Sequence, residues 1–141
     1  MDSATPHLKP LNDIARSAVQ RDTVPIDRLP FRVGRESRVG LVDGAYQTLE
    51  RRKGGGAPNN DLYLIDRGEK LNVSREHFQI EKSADGSFSL FDRGSACGTH
   101  VDDVFVGGHD RPGRLPLKHG SRIQVGTRHS PYLFEFVLPA V

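Results

Sequence analysis

The sequence predicts an all-β sandwich, on three observations. Short alternating or apolar runs recur along the chain, separated by turns that bear Gly and Pro, and no convincing long helix interrupts them. Two of the runs are joined by an Asp-Gly turn, the clearest hairpin signal in the chain. The length of 141 residues suits one compact domain, which at this size buries roughly 70% of the surface its unfolded chain exposes.

Residues 1–12 are polar and contain Pro6 and Pro10, which reads as a flexible lead-in to a domain spanning residues 13–141. Ile14-Ala15-Arg16-Ser17-Ala18-Val19 mixes small, apolar and basic residues; a first strand is the expectation, a short helix its competitor, and Val24-Pro25-Ile26 breaks the run. Phe31-Arg32-Val33 alternates in period two, as a strand with one buried face does. Residues 36–60 form a connection longer than most in compact domains. Its middle, from Tyr46 to Arg52, is compatible with one or two helical turns stopped by Gly54, and the stretch from Gly54 to Asn60 is expected to be mobile.

Leu62-Tyr63-Leu64-Ile65 is a short apolar run bounded by turn residues, better suited to a buried strand than to a helix. Phe78-Gln79-Ile80-Glu81 and Phe88-Ser89-Leu90-Phe91 flank the turn Ser83-Ala84-Asp85-Gly86 and make the hairpin. Further short strands are expected at Thr99–Val101, Val104–Val106, Arg122–Val125 and Leu133–Val137. The core is expected to hold Leu62, Ile65, Phe78, Ile80, Phe88, Leu90, Ile123, Val125, Phe134 and Phe136.

Composition narrows the function classes. Twenty Lys and Arg oppose 18 Asp and Glu for a net charge of +2, too balanced to argue for a nucleic-acid or membrane surface, so any anion site must be local. Cys97, the single cysteine, cannot form an intramolecular disulfide, which favours the cytosol. No apolar stretch approaches ~18 residues, and Met1 to Leu11 lacks an apolar signal core, so neither a membrane span nor a signal peptide is expected.

Three polar segments punctuate the strands. Gly34-Arg35 closes Phe31-Arg32-Val33, Ser74-Arg75-Glu76-His77 opens the hairpin, and Gly98-Thr99-His100-Val101 follows it. An arginine offers phosphate two parallel charge-assisted hydrogen bonds, a serine hydroxyl can donate a third, and a second cation adds charge. Alone, Arg35 reads as a surface arginine paired with a carboxylate such as Glu36, and Ser74 as an ordinary cap or turn residue.

In that order and with that chemistry, the segments make the chain similar to the forkhead-associated (FHA) domain, a phosphothreonine-peptide reader, from about Phe31 to Val137. The resemblance implies a sandwich of two mainly antiparallel sheets with binding loops at one end. It also implies a non-catalytic interaction module without cofactor or metal, whose partner is a phosphothreonine-containing protein segment. Arg35 and Ser74 would hold the phosphate with Arg75 assisting, and Ala96 and Cys97 would line the peptide's path. Gly34, His77, Gly98 and Thr99 would be framework, His77 bonding backbone and fixing the loop.

The sequence also departs from the family pattern. Cys97 stands where an asparagine usually bonds the peptide backbone, Ala96 where a threonine or serine is common, and Asp102-Asp103 where Asn-Gly is usual, the last adding negative charge near the rim. Ser121 replaces a common aspartate in the late element Leu117–Gly126. These losses point to weakened phosphopeptide affinity. The alternative is a degenerate member that docks or oligomerises without phosphate.

Other signals fail on their spacing. Gly94-Ser95-Ala96-Cys97-Gly98 is not a Gly-x-Ser-x-Gly nucleophile turn, and no base for a nucleophilic Cys97 can be read from the sequence. The six histidines include no pair at i, i+4 spacing, so zinc is unsupported. Gly54-Gly55-Gly56 lacks a P-loop ending, and Arg51-Arg52-Lys53 reads as a solvated surface run.

Overall fold

Alternating sequence becomes paired strand along most of the chain. The computed structural model describes residues 5–35, 38–42, 45–50, 60–66 and 72–139. In chain order the elements are β1 (His7–Pro10), α1 (Asp13–Val19), β2 (Val24–Pro25), β3 (Phe31–Arg35), β4 (Arg38–Val42), β5 (Ala45–Glu50), β6 (Leu62–Leu64), β7 (Phe78–Lys82), β8 (Phe88–Asp92), β9 (Thr99–Val101), β10 (Val104–Val106), β11 (Gly113–Leu117), β12 (Arg122–Val125) and β13 (Leu133–Val137).

These strands form a six-stranded sheet ordered β10-β9-β12-β13-β1-β2, a five-stranded sheet ordered β11-β8-β7-β3-β6, and a separate β4-β5 ribbon. In the two main sheets every pairing is antiparallel except β3 with β6. The core lies between the sheets. Val33, Phe78, Ile80 and Leu90 from one face Leu8, Ile123, Val125, Phe134 and Phe136 from the other, all buried in a single cluster. Each such side chain contributes roughly 1.5–3 kcal/mol when fully buried. Nine of the ten expected core residues are buried; Phe88 is half-buried at the margin, its ring 5.3 Å from that of Phe136.

The expected hairpin is β7-β8, in register with Ile80 opposite Leu90 and Phe78 opposite Asp92. Three local expectations give way to the structure. His7–Pro10, expected within a flexible lead-in, pairs with both β13 and β2 and buries Leu8 and Pro10. Ile14–Val19, expected first as a strand, lies in helix α1. The Asn12 side chain accepts from the Ala15 amide at 2.7 Å, and Ala15, Ala18 and Val19 are buried, at i, i+3 and i+4.

Tyr46–Glu50, expected as helical turns, pairs with β4 as strand β5, because a neighbouring strand overrides a weak local preference. Arg51, Arg52 and the Gly54 stop, with the mobile stretch up to Asn59, lie outside the described residues. Gly113–Leu117 is an additional strand whose Pro116 obscures the signal; β11 is a sheet edge, where proline is tolerated. Among the described residues, no helix is long and apolar enough to cross a membrane.

Candidate functional site

The end of β3, the segment entering β7 and the turn entering β9 meet at one end of the sandwich. The Arg35 amide donates to the Ser74 carbonyl at 2.9 Å, the Ala96 amide to the Ser74 hydroxyl oxygen at 3.0 Å, and the Gly126 amide to the Gly98 carbonyl at 2.9 Å. All three polar segments singled out in the sequence therefore share one rim.

Gly34 is there because of space. A Cβ at this position would overlap the Arg75 carbonyl oxygen and crowd the Asn60 amide, so only glycine lets β3 run against residues 74–75. Arg35 is half-buried and donates through Nε to the Val73 carbonyl at 3.0 Å, which fixes the guanidinium's direction. Among the described residues its two terminal nitrogens have no partner. Ser74 accepts from the Ala96 amide, so its own O–H stays available as a donor on the same rim. Arg75 is exposed, and among the described residues its guanidinium has no partner.

His77 holds two of the segments together. Its ring is fully buried; Nδ1 accepts from the Ser74 amide at 2.9 Å, so Nε2 carries the proton and donates to the Gly98 carbonyl at 2.8 Å. Burial pushes the imidazole's pKa below its ordinary value and outweighs the hydrogen bond to Gly98 and the nearby Asp92 charge, which would raise it. The neutral form is the one this bonding requires. The histidine thus ties the Ser74 and Gly98 segments together through their backbone groups.

Asp92 is the largest omission from the sequence reading. Fully buried at the end of β8, it accepts four hydrogen bonds: from the Gly94 amide at 2.9 Å, the Ser95 amide at 2.8 Å, the Ser95 hydroxyl at 2.7 Å and the Thr99 hydroxyl at 2.8 Å. Ser95 Oγ in turn accepts from the Gly98 amide at 2.9 Å. One carboxylate therefore shapes the whole 93–98 turn, with Thr99 buried as its partner. A local signal existed: an aspartate followed two residues later by glycine is a common Asx-turn pattern.

Asn60 is the second omission. It is buried, donates to the Arg75 carbonyl at 2.7 Å and accepts from Arg93 Nη1 at 2.6 Å, while Arg93 Nη2 lies 3.6 Å from Glu76. It pins the Ser74–Arg75 segment from behind. Nothing in its sequence neighbourhood marks it, because its partners are 15 and 33 residues away.

Ala96 is exposed at the rim, its carbonyl accepting from the His109 amide at 2.9 Å, and the half-buried Cys97 follows it. Gly98 has φ +83°, and a Cβ there would strike the Phe105 ring, so the turn requires glycine. The negative charge expected near this rim is elsewhere. Asp102 and Asp103 form the two-residue turn between β9 and β10, with φ of 49° and 71°, at the end of β9 away from Gly98. Aspartate tolerates the left-handed conformation that such hairpin turns need, so the pair substitutes for the usual Asn-Gly.

The rim thus carries, on neighbouring segments, a guanidinium oriented by Val73, a serine hydroxyl and an exposed arginine, groups of the kind that donate charge-assisted hydrogen bonds to anions. Among the described residues, no group of three or more His, Cys, Asp or Glu side chains could hold a metal ion.

A family model described as the FHA domain matches residues 31–126. Solved structures similar to this chain include the FHA domain of the CT664 protein from Chlamydia trachomatis, with TM-score 0.56 and 20% identity, covering 97% of this chain and all of that one. The MEK1 FHA domain in complex with a HOP1 phosphothreonine peptide has TM-score 0.52 and 19% identity, covering 98% of this chain and all of that one. The FHA domain of an Arabidopsis thaliana hypothetical protein has TM-score 0.55 and 18% identity, covering all of this chain and 97% of that one. At these identities the likeness is one of fold. No curated protein matches the chain.

Proposed function

The chain belongs to the FHA domain family, a family of interaction modules rather than enzymes, and from that premise we propose that it captures a phosphothreonine-containing segment of a partner protein at the Arg35–Ser74 rim. The observation that carries the reading is the pairing at that rim of a guanidinium fork directed by Val73 with a serine hydroxyl oriented by Ala96. Arg35 and Ser74 hold the phosphate, Arg75 adds charge, and Ala96 and Cys97 line the peptide's path. The phosphothreonine peptide bound by the structurally similar MEK1 domain supports the ligand class.

The loss of the usual asparagine at Cys97 leaves phosphate capture in place and weakens the hold on the peptide backbone. Titration with matched phosphorylated and unphosphorylated threonine peptides tests the reading. Binding should require the phosphate, and Arg35→Ala should weaken it by roughly 10- to 150-fold, since hydrogen bonds to charged groups contribute about 1.5–3 kcal/mol. Equal binding of both peptides, or full binding by Arg35→Ala, overturns the reading in favour of phosphate-independent docking.

A further inference from the structure

The outer face of the six-stranded sheet carries a row of side chains that no part of the phosphate rim uses. Phe105 pairs with His100 across β10 and β9, His100 with Gln124 across β9 and β12, and Gln124 with Leu133 across β12 and β13; the Leu11 amide donates to the Leu133 carbonyl. The row runs straight across four strands. The Phe105 ring is 50% exposed and tilted against His100, with centroids 5.0 Å apart, and Leu11 is 37% exposed. From His100 to Leu11 the row borders a groove of about 500 Å³, which also takes in Asp102, Asp103 and Arg122. Leu11 and Leu133 lie outside the stretch that the family model matches.

Two features say what would fill this groove. The first is continuity: Phe105 packs where a Cβ on Gly98 would sit, so the aromatic shelf begins at the turn that carries Ala96 and Cys97. The second is charge. The phosphate rim at one end is cationic, whereas the far end has two carboxylates, Asp102 and Asp103, against one guanidinium, Arg122. Asp102 is engaged with the Arg122 amide at 2.9 Å, and Asp103 is exposed with no partner among the described residues. From Gly98 to Asp102 is about 13 Å of strand. Ser74 and Gly98 are joined through the His77 ring by hydrogen bonds of 2.9 and 2.8 Å, so the whole span is about 20 Å, which about six extended residues cover.

We propose that this groove is a second docking site for the partner that carries the phosphothreonine, taking the flanking segment of the same chain: an apolar side chain on the Phe105–His100 shelf, then a lysine or arginine at Asp103. The proposal rests on the phosphothreonine reading of the rim. A groove joined to the rim by the Phe105 ring, which spans from Gly98 to His100, makes the second contact intramolecular once the phosphate is held, so modest contacts add directly to affinity. It also supplies selectivity that the Cys97 turn lacks.

The test uses fluorescence anisotropy with three phosphothreonine peptides and their unphosphorylated counterparts. One is a pentapeptide with alanine at every other position; the others extend it on the N-terminal or the C-terminal side with Leu three residues and Lys six residues from the phosphothreonine. One extension should bind about tenfold tighter than the pentapeptide, a gain of about 1.4 kcal/mol. That gain should shrink severalfold in Phe105→Ala and in Asp103→Asn, an exchange that keeps a side chain tolerant of positive φ. The quantity read is each variant's ratio of extended to short affinity, which cancels any effect on the rim. If the pentapeptide binds only when phosphorylated and neither extension adds affinity, or the gain survives both variants, the groove proposal falls alone. If no peptide distinguishes phosphate, the reading of the rim falls, and this proposal with it.

Discussion

Removing the Asp92 carboxylate should do more damage to the binding end than any exposed substitution there. In Asp92→Ala the amides of Gly94 and Ser95 and the hydroxyls of Ser95 and Thr99 all lose their acceptor. Gly94 is half-buried and can turn to water, but Ser95 and Thr99 are fully buried. A buried donor left unpaired costs about 1–3 kcal/mol, and the hydroxyls can rotate where the Ser95 amide cannot, so the sum is about 4 kcal/mol. For a chain of this length each kcal/mol is worth about 3 °C, so Tm should fall by about 12 °C.

Asp92→Asn keeps an oxygen for the two amides and changes only the side facing the hydroxyls, which can reorient to accept. Its cost should be about 1–2 kcal/mol, or about 4 °C. Thermal unfolding and denaturant titration of both variants measure the difference. Amide exchange supplies the local readout, with protection at Ser95 and Gly98 lost first in Asp92→Ala. Equal destabilisation by Ala and Asn, or a loss below about 1 kcal/mol in Ala, refutes the assignment of the turn's stability to these hydrogen bonds.

Gly34→Ala should destabilise by about 3 kcal/mol and abolish phosphopeptide binding, because the backbone oxygen of Arg75 cannot move aside as a flexible side chain would; near-native unfolding and affinity would contradict that close approach. His77 has a native pKa below its unfolded value of about 6.5, so the unfolded chain binds the proton first. Its stabilising contribution is therefore complete above about pH 6.5 and is lost as pH falls through the native value, at up to about 1.4 kcal/mol per pH unit. Denaturant titrations at stepped pH should show that excess slope in the wild type relative to His77→Gln, and parallel curves would exclude it. Cys97→Asn, which restores the amide usual in the family, should tighten phosphopeptide binding by roughly 2- to 12-fold, the value of one neutral hydrogen bond, as read by calorimetric titration.

Strand content was legible because period-two alternation reports a half-buried face, and β7-β8 could be placed with its turn from local chemistry alone. The same logic failed at residues 13–19, where small residues fit either period and the Asn12 cap decided for helix. It failed again at His7–Pro10, whose partner β13 lies more than 120 residues away. Among the candidate site residues, Arg35, Ser74 and His77 were readable as motif members. Asn60 was not, since its partners lie 15 and 33 residues away, and the local Asx-turn signal at Asp92 does not reveal that Thr99 also bonds to it.

By itself the sequence determined the class of fold, most of the core and the kinds of group that could meet a phosphate, because those follow from side-chain chemistry and short-range periodicity. Only the tertiary structure decided which groups meet and which remain apart. It joined Arg35 to Ser74 across 39 residues and buried His77 as a neutral link between Ser74 and Gly98. It also set Asp102 and Asp103 at the other end of β9, where their charge faces a groove instead of the Arg35–Ser74 rim. The physical reason is that hydrogen bonding and electrostatic attraction act over a few ångströms, and strand pairing, not sequence separation, sets those distances.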